Sequence, residues 1–173
     1  MYDVDKVRAD FPILSREVHG VPLVYLDNGA SAQKPKAVID AITRVYSDEY
    51  ANVHRGIHTL SEETTARYEQ ARQTITRFIN AESTQEVIFT AGATASINTV
   101  ARSWGDQQIT SDDVILVTIA EHHANIVPWH QLSERTGCRV VFLPLQEDFT
   151  ISDEVVQQHL ERWQPKLFAF TAA

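Results

Sequence analysis

The residues most able to do chemistry lie in three short segments. Glu121-His122-His123-Ala-Asn125-Ile-Val-Pro128-Trp129 follows directly on the apolar run Val114 to Thr118. An imidazole placed there could stack on a flat ligand, donate a hydrogen bond, act as a base or bind a metal. Taken alone, the pair fits a helix-capping region better, with one solvated and one packed histidine and Trp129 in the core. In Phe89-Thr-Ala-Gly92-Ala93-Thr94-Ala-Ser96-Ile-Asn98, small residues carry an apolar stretch into a helical one. Backbone N–H groups converging at a helix N-terminus favour an anion, and the hydroxyls of Thr94 and Ser96 could add bonds to phosphate oxygens. A tight packing turn needs the same small residues, and alone that is the better reading.

His54-Arg55-Gly56-Ile-His58-Thr59 is the third segment. His54 and His58 stand four apart, as in a helical metal pair, but Gly56 weakens a helix there and no Glu adjoins His54. The glycine favours a loop presenting Arg55 outward, to solvent or to an anion on a partner subunit. Cys138, the one cysteine, lies between Gly137 and an apolar run with no second thiol nearby. It reads as a buried or half-buried structural thiol rather than a nucleophile.

The elements that must position these groups follow from periodicity. Residues 1–33 read as an arm with a short helix, a turn at His19-Gly20-Val21-Pro22 and the apolar stretch Leu23 to Leu26. Pro35 suits an early helical position, and a helix to about Tyr50 would align Val38, Ile42, Val45 and Tyr46. A second helix opens at Thr59-Leu-Ser-Glu62, which reads as a capping box, and carries Tyr68, Ala71, Ile75, Phe78 and Ile79 on one stripe. Thereafter strands and helices alternate: strand 87–89, a helix with Ile97, Val100 and Ala101, strand 114–118, and helix 125–136 closed by Gly137. Strand 139–143, helix 152–163 and strand 167–170 complete the series. Strict alternation implies parallel strands with crossover helices, an α/β architecture. Such a sheet gathers ligand-binding groups outside the carboxyl ends of its strands, so the first two segments should meet at one edge.

The 173 residues are 43% hydrophobic and 22% charged, with a net charge of −8. That composition suits one sizeable core and argues against disorder. An acidic chain without a basic run excludes nucleic acid and anionic membrane as natural partners. The charged start and short apolar runs give no signal peptide or membrane span, and a single cysteine fits a reducing cytoplasm.

Together, five segments resemble the class V branch of fold-type I pyridoxal-phosphate enzymes, in particular the Suf-type (group II) cysteine desulfurases. They are Val4-Asp-Lys-Val-Arg-Ala-Asp-Phe-Pro12, Tyr25-Leu-Asp-Asn-Gly-Ala-Ser-Ala-Gln-Lys-Pro35, Val53-His-Arg-Gly-Ile-His-Thr-Leu-Ser61, Gly92-Ala-Thr94 and Glu121 to Trp129. The resemblance implies the three-layer large domain of that fold: an arm over 1–33, then the first part of the cofactor domain over 34–173. It implies that Ala93 and Thr94 contact the cofactor phosphate and that His122 stacks on the pyridine ring and moves protons. It further implies that Gly29 and Ala30 lie near the substrate, and that His54 and Arg55 approach the other subunit's site in a homodimer. The family takes sulfur from L-cysteine, leaving L-alanine and an enzyme persulfide, for a sulfur-acceptor protein of the Suf system and iron–sulfur cluster assembly.

Three departures accompany it. Ala95 stands where family members commonly have Glu, and Gly29 where they commonly have Ala. After Thr171 the expected His-Val-Ser-Asn is replaced by Ala172-Ala173. The Schiff-base lysine, the aspartate partner of the ring nitrogen and the persulfide cysteine have no match among these residues. The expectation is an amino-terminal fragment, inactive alone, that does not bind the cofactor covalently and associates through uncovered apolar surface. The alternatives are a fragment of a selenocysteine lyase or other class V enzyme, a non-catalytic dimerising or regulatory module, and a zinc hydrolase using His54, His58 and His122.

Overall fold

A computed structural model describes residues 2–172; Met1 and Ala173 lie outside the described residues. The chain forms two compact units, divided after Val87. The first is mainly helical. Asp3 caps α1 (Val4–Ala9) by accepting from the Lys6 N–H at 3.0 Å. β1 (Glu17–Val18) and β2 (Val21–Pro22) pair antiparallel across His19 and Gly20. Both turn residues have positive φ, 53° and 76°, the left-handed backbone that matches the twist of a tight hairpin.

α2 (Lys36–Arg44) begins one residue after Pro35, whose φ of −67° and ψ of 155° leave it outside the helix as the cap. The helix passes into a π turn, Val45–Glu49. Its stripe of Val38, Ile42, Val45 and Tyr46 is exposed within this unit. α3 (Thr59–Phe78) starts where expected, but Thr59 lies inside the helix and His58 is the cap. The expected capping box does not form, because His58 takes the cap one residue earlier through Nδ1; Ser61, fully buried, turns its hydroxyl back to the Asn52 carbonyl at 2.6 Å. That same oxygen accepts the Gly56 N–H at 3.0 Å, so Ser61 fastens the loop before α3.

The expected strand at Val87–Phe89 does not form. Arg72 takes the Val87 carbonyl at 3.2 Å, where a neighbouring strand would have bonded, and Ile88 is 71% exposed. Without a partner strand, an apolar run has no ladder to join.

The second unit is α/β. It runs α4 (Ala93–Val100), a π turn at Ala101–Gly105, one-turn α5 (Asp106–Gln108), β3 (Val114–Thr118), α6 (Val127–Thr136), β4 (Arg139–Leu143), α7 (Asp153–Trp163) and β5 (Leu167–Ala169). The strands form a parallel sheet in the order β4-β3-β5, with Ile115 opposite both Val140 and Leu167. Steps β3→β4 and β4→β5 run in opposite directions, so right-handed crossovers place α6 and α7 on opposite faces. Successive residues of β3 serve the two faces. Ile115 and Val117 join Ala101, Ile109, Trp129, Leu132 and Cys138 in the main core. Leu116 is equally buried but faces the other way, where Leu143, Phe168 and Val156 of α7 line an apolar cleft. The result is the expected three-layer arrangement.

Two details fix the spacing of α4 and α6. A Cβ on Gly105 would stand 2.7 Å from Leu132 Cδ2, so only glycine permits this approach. Beside it, Arg135 near the end of α6 donates to Asp106 Oδ1 from Nε at 2.9 Å and from Nη2 at 2.6 Å. Gly137, at φ 78°, then ends α6 in the left-handed conformation.

Candidate functional site

At the start of α4, Gly92 adopts φ 132° and ψ 174°, backbone that only glycine takes up readily. Its carbonyl accepts the Ser96 N–H at 3.1 Å and the Thr90 hydroxyl at 3.1 Å. Ser96 Oγ lies 2.6 Å from Thr90 Oγ1 and 3.4 Å from the same carbonyl. The sequence reading gave Ser96 to a phosphate; here its hydroxyl is drawn into the turn and shapes it. The N–H groups of Ala93, Thr94 and Ala95 find no acceptor among the described residues, and no side chain caps the helix. The exposed Thr94 hydroxyl is likewise without a partner there. Unpaired N–H groups, a free hydroxyl and the positive end of the helix dipole make a seat for an anion.

His122 stands four residues beyond the end of β3 at Thr118 and caps the turn His123–Asn125. Its Nδ1 accepts the Ala124 N–H at 3.0 Å. That bond keeps Nδ1 unprotonated and places the proton of the neutral ring on Nε2. The ring is exposed, and with Thr94 and Asn98 it lines one cavity of about 340 Å³. Outside the carboxyl edge of a parallel sheet, this is where such a fold gathers ligand groups. The cavity thus offers an anion seat and a free imidazole face, a combination that fits a phosphorylated aromatic ring.

Behind His122 lies a network that the sequence reading gave no role. Glu121 Oε1 accepts the Thr118 hydroxyl at 2.5 Å and the Thr171 N–H at 2.7 Å. Its Oε2 accepts Asn125 Nδ2 at 2.9 Å and the Thr171 hydroxyl at 2.7 Å. Asn125 Oδ1 in turn accepts Trp129 Nε1 at 3.0 Å. Partial burial pushes the Glu121 carboxyl up, but the bonds from Thr118, Asn125 and Thr171 outweigh it and hold the group below the usual glutamate range. The only sequence signal was the four-residue spacing of Glu121, Asn125 and Trp129.

Ala93, Thr94 and His122 are therefore brought together in the second unit. Gly29, Ala30, His54 and Arg55 belong to the first. Gly29 and Ala30 sit in a turn closed by Ser31 N–H to Asp27 O at 3.0 Å, with Tyr25 Oη donating to Ser31 O at 2.7 Å. A Cβ on Gly29 would meet nothing within 4 Å, so glycine is not sterically required there. His54, at φ 63°, donates its N–H to Thr65 Oγ1 at 2.9 Å, and its Nε2 lies 2.9 Å from Glu69 Oε1. Arg55 beside it is exposed and has no ion pair or hydrogen bond among the described residues. His58 is occupied as the α3 cap, its Nδ1 accepting the Ser61 N–H at 3.4 Å. No group of three or more His, Cys, Asp or Glu could hold a metal among the described residues. No helix among them is long and apolar enough to cross a membrane.

The remaining reactive side chains of this unit stand at the wrong end of the sheet. Cys138 is 3% exposed and immediately precedes β4. Lys166 precedes β5 and is held by the Gln108 carbonyl and by Asp113 at 3.0 Å. Both mark the amino edge, opposite His122.

Residues 24–173 match the family model described as aminotransferase class-V. A cysteine desulfurase from Enterobacter sp. (strain 638) is 51% identical over 170 residues, which is 98% of this chain and 42% of that protein. The structure of an apo cysteine desulfurase from Thermococcus onnurineus NA1 superimposes with a TM-score of 0.85 at 30% identity, covering 98% of this chain and 40% of that one. An Escherichia coli cysteine desulfurase carrying an S-sulfonic acid gives 0.72 at 36% identity, over 91% of this chain and 38% of that one. The chain thus spans about two fifths of the length of these relatives.

Proposed function

This chain belongs to the aminotransferase class-V family, and from that premise we propose that it furnishes the phosphate seat and the ring-side histidine of a Suf-type cysteine desulfurase. Its family is pyridoxal-phosphate dependent. The observation that carries the reading is one cavity lined by both Thr94 and the exposed His122 ring, with Thr94 in the first turn of α4, where three N–H groups find no acceptor among the described residues. Ala93 and Thr94 would hold the cofactor phosphate, and His122 would lie against its ring. When bound, the cofactor supplies an electron sink for the amino acid substrate.

The chain's own residues do the rest. Gly92 sets the backbone that aims the N–H groups. His122, fixed through Nδ1, presents Nε2–H as a donor; to carry a proton it would take one up at Nδ1, releasing the Ala124 N–H, and pass one on from Nε2. In this reading L-cysteine is the substrate and L-alanine the product. The sulfur leaves as a persulfide for an acceptor protein of the Suf system, and the enzyme is a cytoplasmic homodimer. Gly29 and Ala30 would approach the substrate. Arg55, unpaired on a loop stiffened by the His54–Glu69 bond, would reach the partner subunit's site as a cation for an anionic group. The division into an arm (1–33) and the start of the cofactor domain (34–173) belongs to the same reading.

Residues 1–173 taken by themselves should not turn over, because Lys166 and Cys138 stand at the opposite sheet edge from His122. The deciding experiment is turnover of L-cysteine and of L-selenocysteine by the full-length protein with added pyridoxal phosphate, beside His122→Ala. Alanine release from cysteine that depends on both cofactor and His122 supports the reading. Preference for selenocysteine would move it to the selenocysteine lyases, and no cofactor binding at all would overturn it.

A further inference from the structure

We propose that Glu121 is a positioning residue for His122: a carboxylate clasp that joins the ends of β3 and β5 to the histidine turn and thereby selects the ring's tautomer. The inference rests on the reading above for its catalytic consequence, but not for its geometry. Glu121 receives four hydrogen bonds from three segments, through Thr118, Thr171 and Asn125. Asn125 is the last residue of the His122 turn, and its N–H donates to the His122 carbonyl at 2.8 Å. Holding Asn125 therefore holds the turn that presents the Ala124 N–H to His122 Nδ1.

The polarity of the network explains why a carboxylate stands at 121. All four partners present a donor: one backbone N–H, two hydroxyls and an amide NH2. Asn125 cannot reverse, because its Oδ1 already accepts the Trp129 indole N–H. A glutamine at 121 could serve Thr118 and the Thr171 N–H with its oxygen. Its NH2 would then face the Asn125 NH2, donor against donor. Turning Asn125 over only moves the conflict to Trp129. One mismatch persists in either arrangement, and the turn must shift to relieve it. An aspartate at 125 resolves it: its carboxylate accepts from both the glutamine and the indole.

The test uses the full-length protein labelled with ¹⁵N-histidine, in the cofactor-free form, with His122 assigned by its absence in His122→Gln. Wild type should show one neutral tautomer, with Nδ1 unprotonated and Nε2 protonated. Glu121→Gln should give a tautomer mixture, and Glu121→Gln with Asn125→Asp should restore the single form. In the loaded enzyme the same pair should lower and then recover kcat, with KM little changed. One unmade hydrogen bond in a partly buried network corresponds to a loss of about 5-fold to about 100-fold. If Glu121→Gln does not fold, Thr171→Val, which removes a single hydroxyl donor, should show a smaller shift in the same direction. A wild-type tautomer retained in Glu121→Gln, or in Thr171→Val where that variant carries the test, overturns the proposal. The spectrum decides it even if the protein proves not to desulfurate cysteine, so the two readings fail separately.

Discussion

Replacing Gly92 by alanine puts the anion seat to a quantitative test. At φ 132° and ψ 174°, an L-residue is strained by about 1–3 kcal/mol. Nothing lies within 4 Å of the added Cβ, so the whole cost is in the backbone and none is steric contact. The chain can bear the strain or rotate away from it. Rotation swings the Gly92 carbonyl off the Ser96 N–H, the Thr90 hydroxyl and the Ser96 hydroxyl, all of which now meet it. Either way the first turn of α4 loses about the same free energy, equivalent to roughly 5-fold to 150-fold in a local opening equilibrium. Hydrogen exchange of the Ser96 amide reads that opening directly. Affinity for pyridoxal phosphate, titrated by absorbance, should fall by a comparable factor, because the same turn aims the N–H groups of residues 93 to 95. Unchanged Ser96 protection together with affinity within about two-fold of wild type would refute the reasoning, since at least one must move if φ matters here.

Thr94→Val keeps the shape of an exposed side chain with no internal partner, so stability should hold while cofactor affinity drops by about 10-fold to 100-fold, the value of one hydrogen bond to a charged group. Equal affinity in a phosphate-binding titration would remove Thr94 from the seat. A polypeptide limited to residues 1–173, incubated with pyridoxal phosphate and treated with borohydride, should show no stoichiometric label on Lys6, Lys34, Lys36 or Lys166 by peptide mapping. One lysine labelled to completion would overturn this expectation, and were it Lys166 it would also contradict its place at the far sheet edge. The carboxyl of Glu121 is held below its ordinary value. Its contribution to stability is therefore full above the usual glutamate pKa of about 4.3 and is lost as pH falls through the lower folded value. Urea midpoints measured from neutral pH to about pH 3 should drop further in wild type than in Glu121→Gln; parallel curves would show that Glu121 does not couple to folding.

The second unit was largely legible in the sequence because its signals are local. Apolar runs of strand length at 114–118 and 139–143, the helical run at 152–163 and the stop at Gly137 each need only their neighbours to take effect. The place of His122 was legible for a topological reason, since a strand of a parallel sheet delivers the residues after it to the carboxyl edge; Thr94 reaches the same cavity without the strand expected before it. Three features were not. Val87–Phe89 has the composition of a strand, but a ladder needs a neighbour, and Arg72 claims the carbonyl first. Thr59-Leu-Ser-Glu62 has the letters of a capping box, yet the imidazole of His58 takes the cap and Thr59 falls inside the helix. The role of Glu121 depends on Thr171, fifty residues on, and no spacing rule reaches that far. Long-range pairing decided the first and the last.

Seen mechanically, α4 and α6 are the two arms of a pair of tongs. The tips carry Thr94 and the His122 turn; the rivet is at the other end, where Gly105 lets Leu132 close in and Asp106 grips Arg135. The opening at the tips is then governed by how tightly the rivet is set, by residues that touch nothing in the cavity. A methyl group added at Gly105 would stand 2.7 Å from Leu132 Cδ2, so that side chain or the arm behind it must give. The width of the cavity is therefore tied to residues that stand outside its wall.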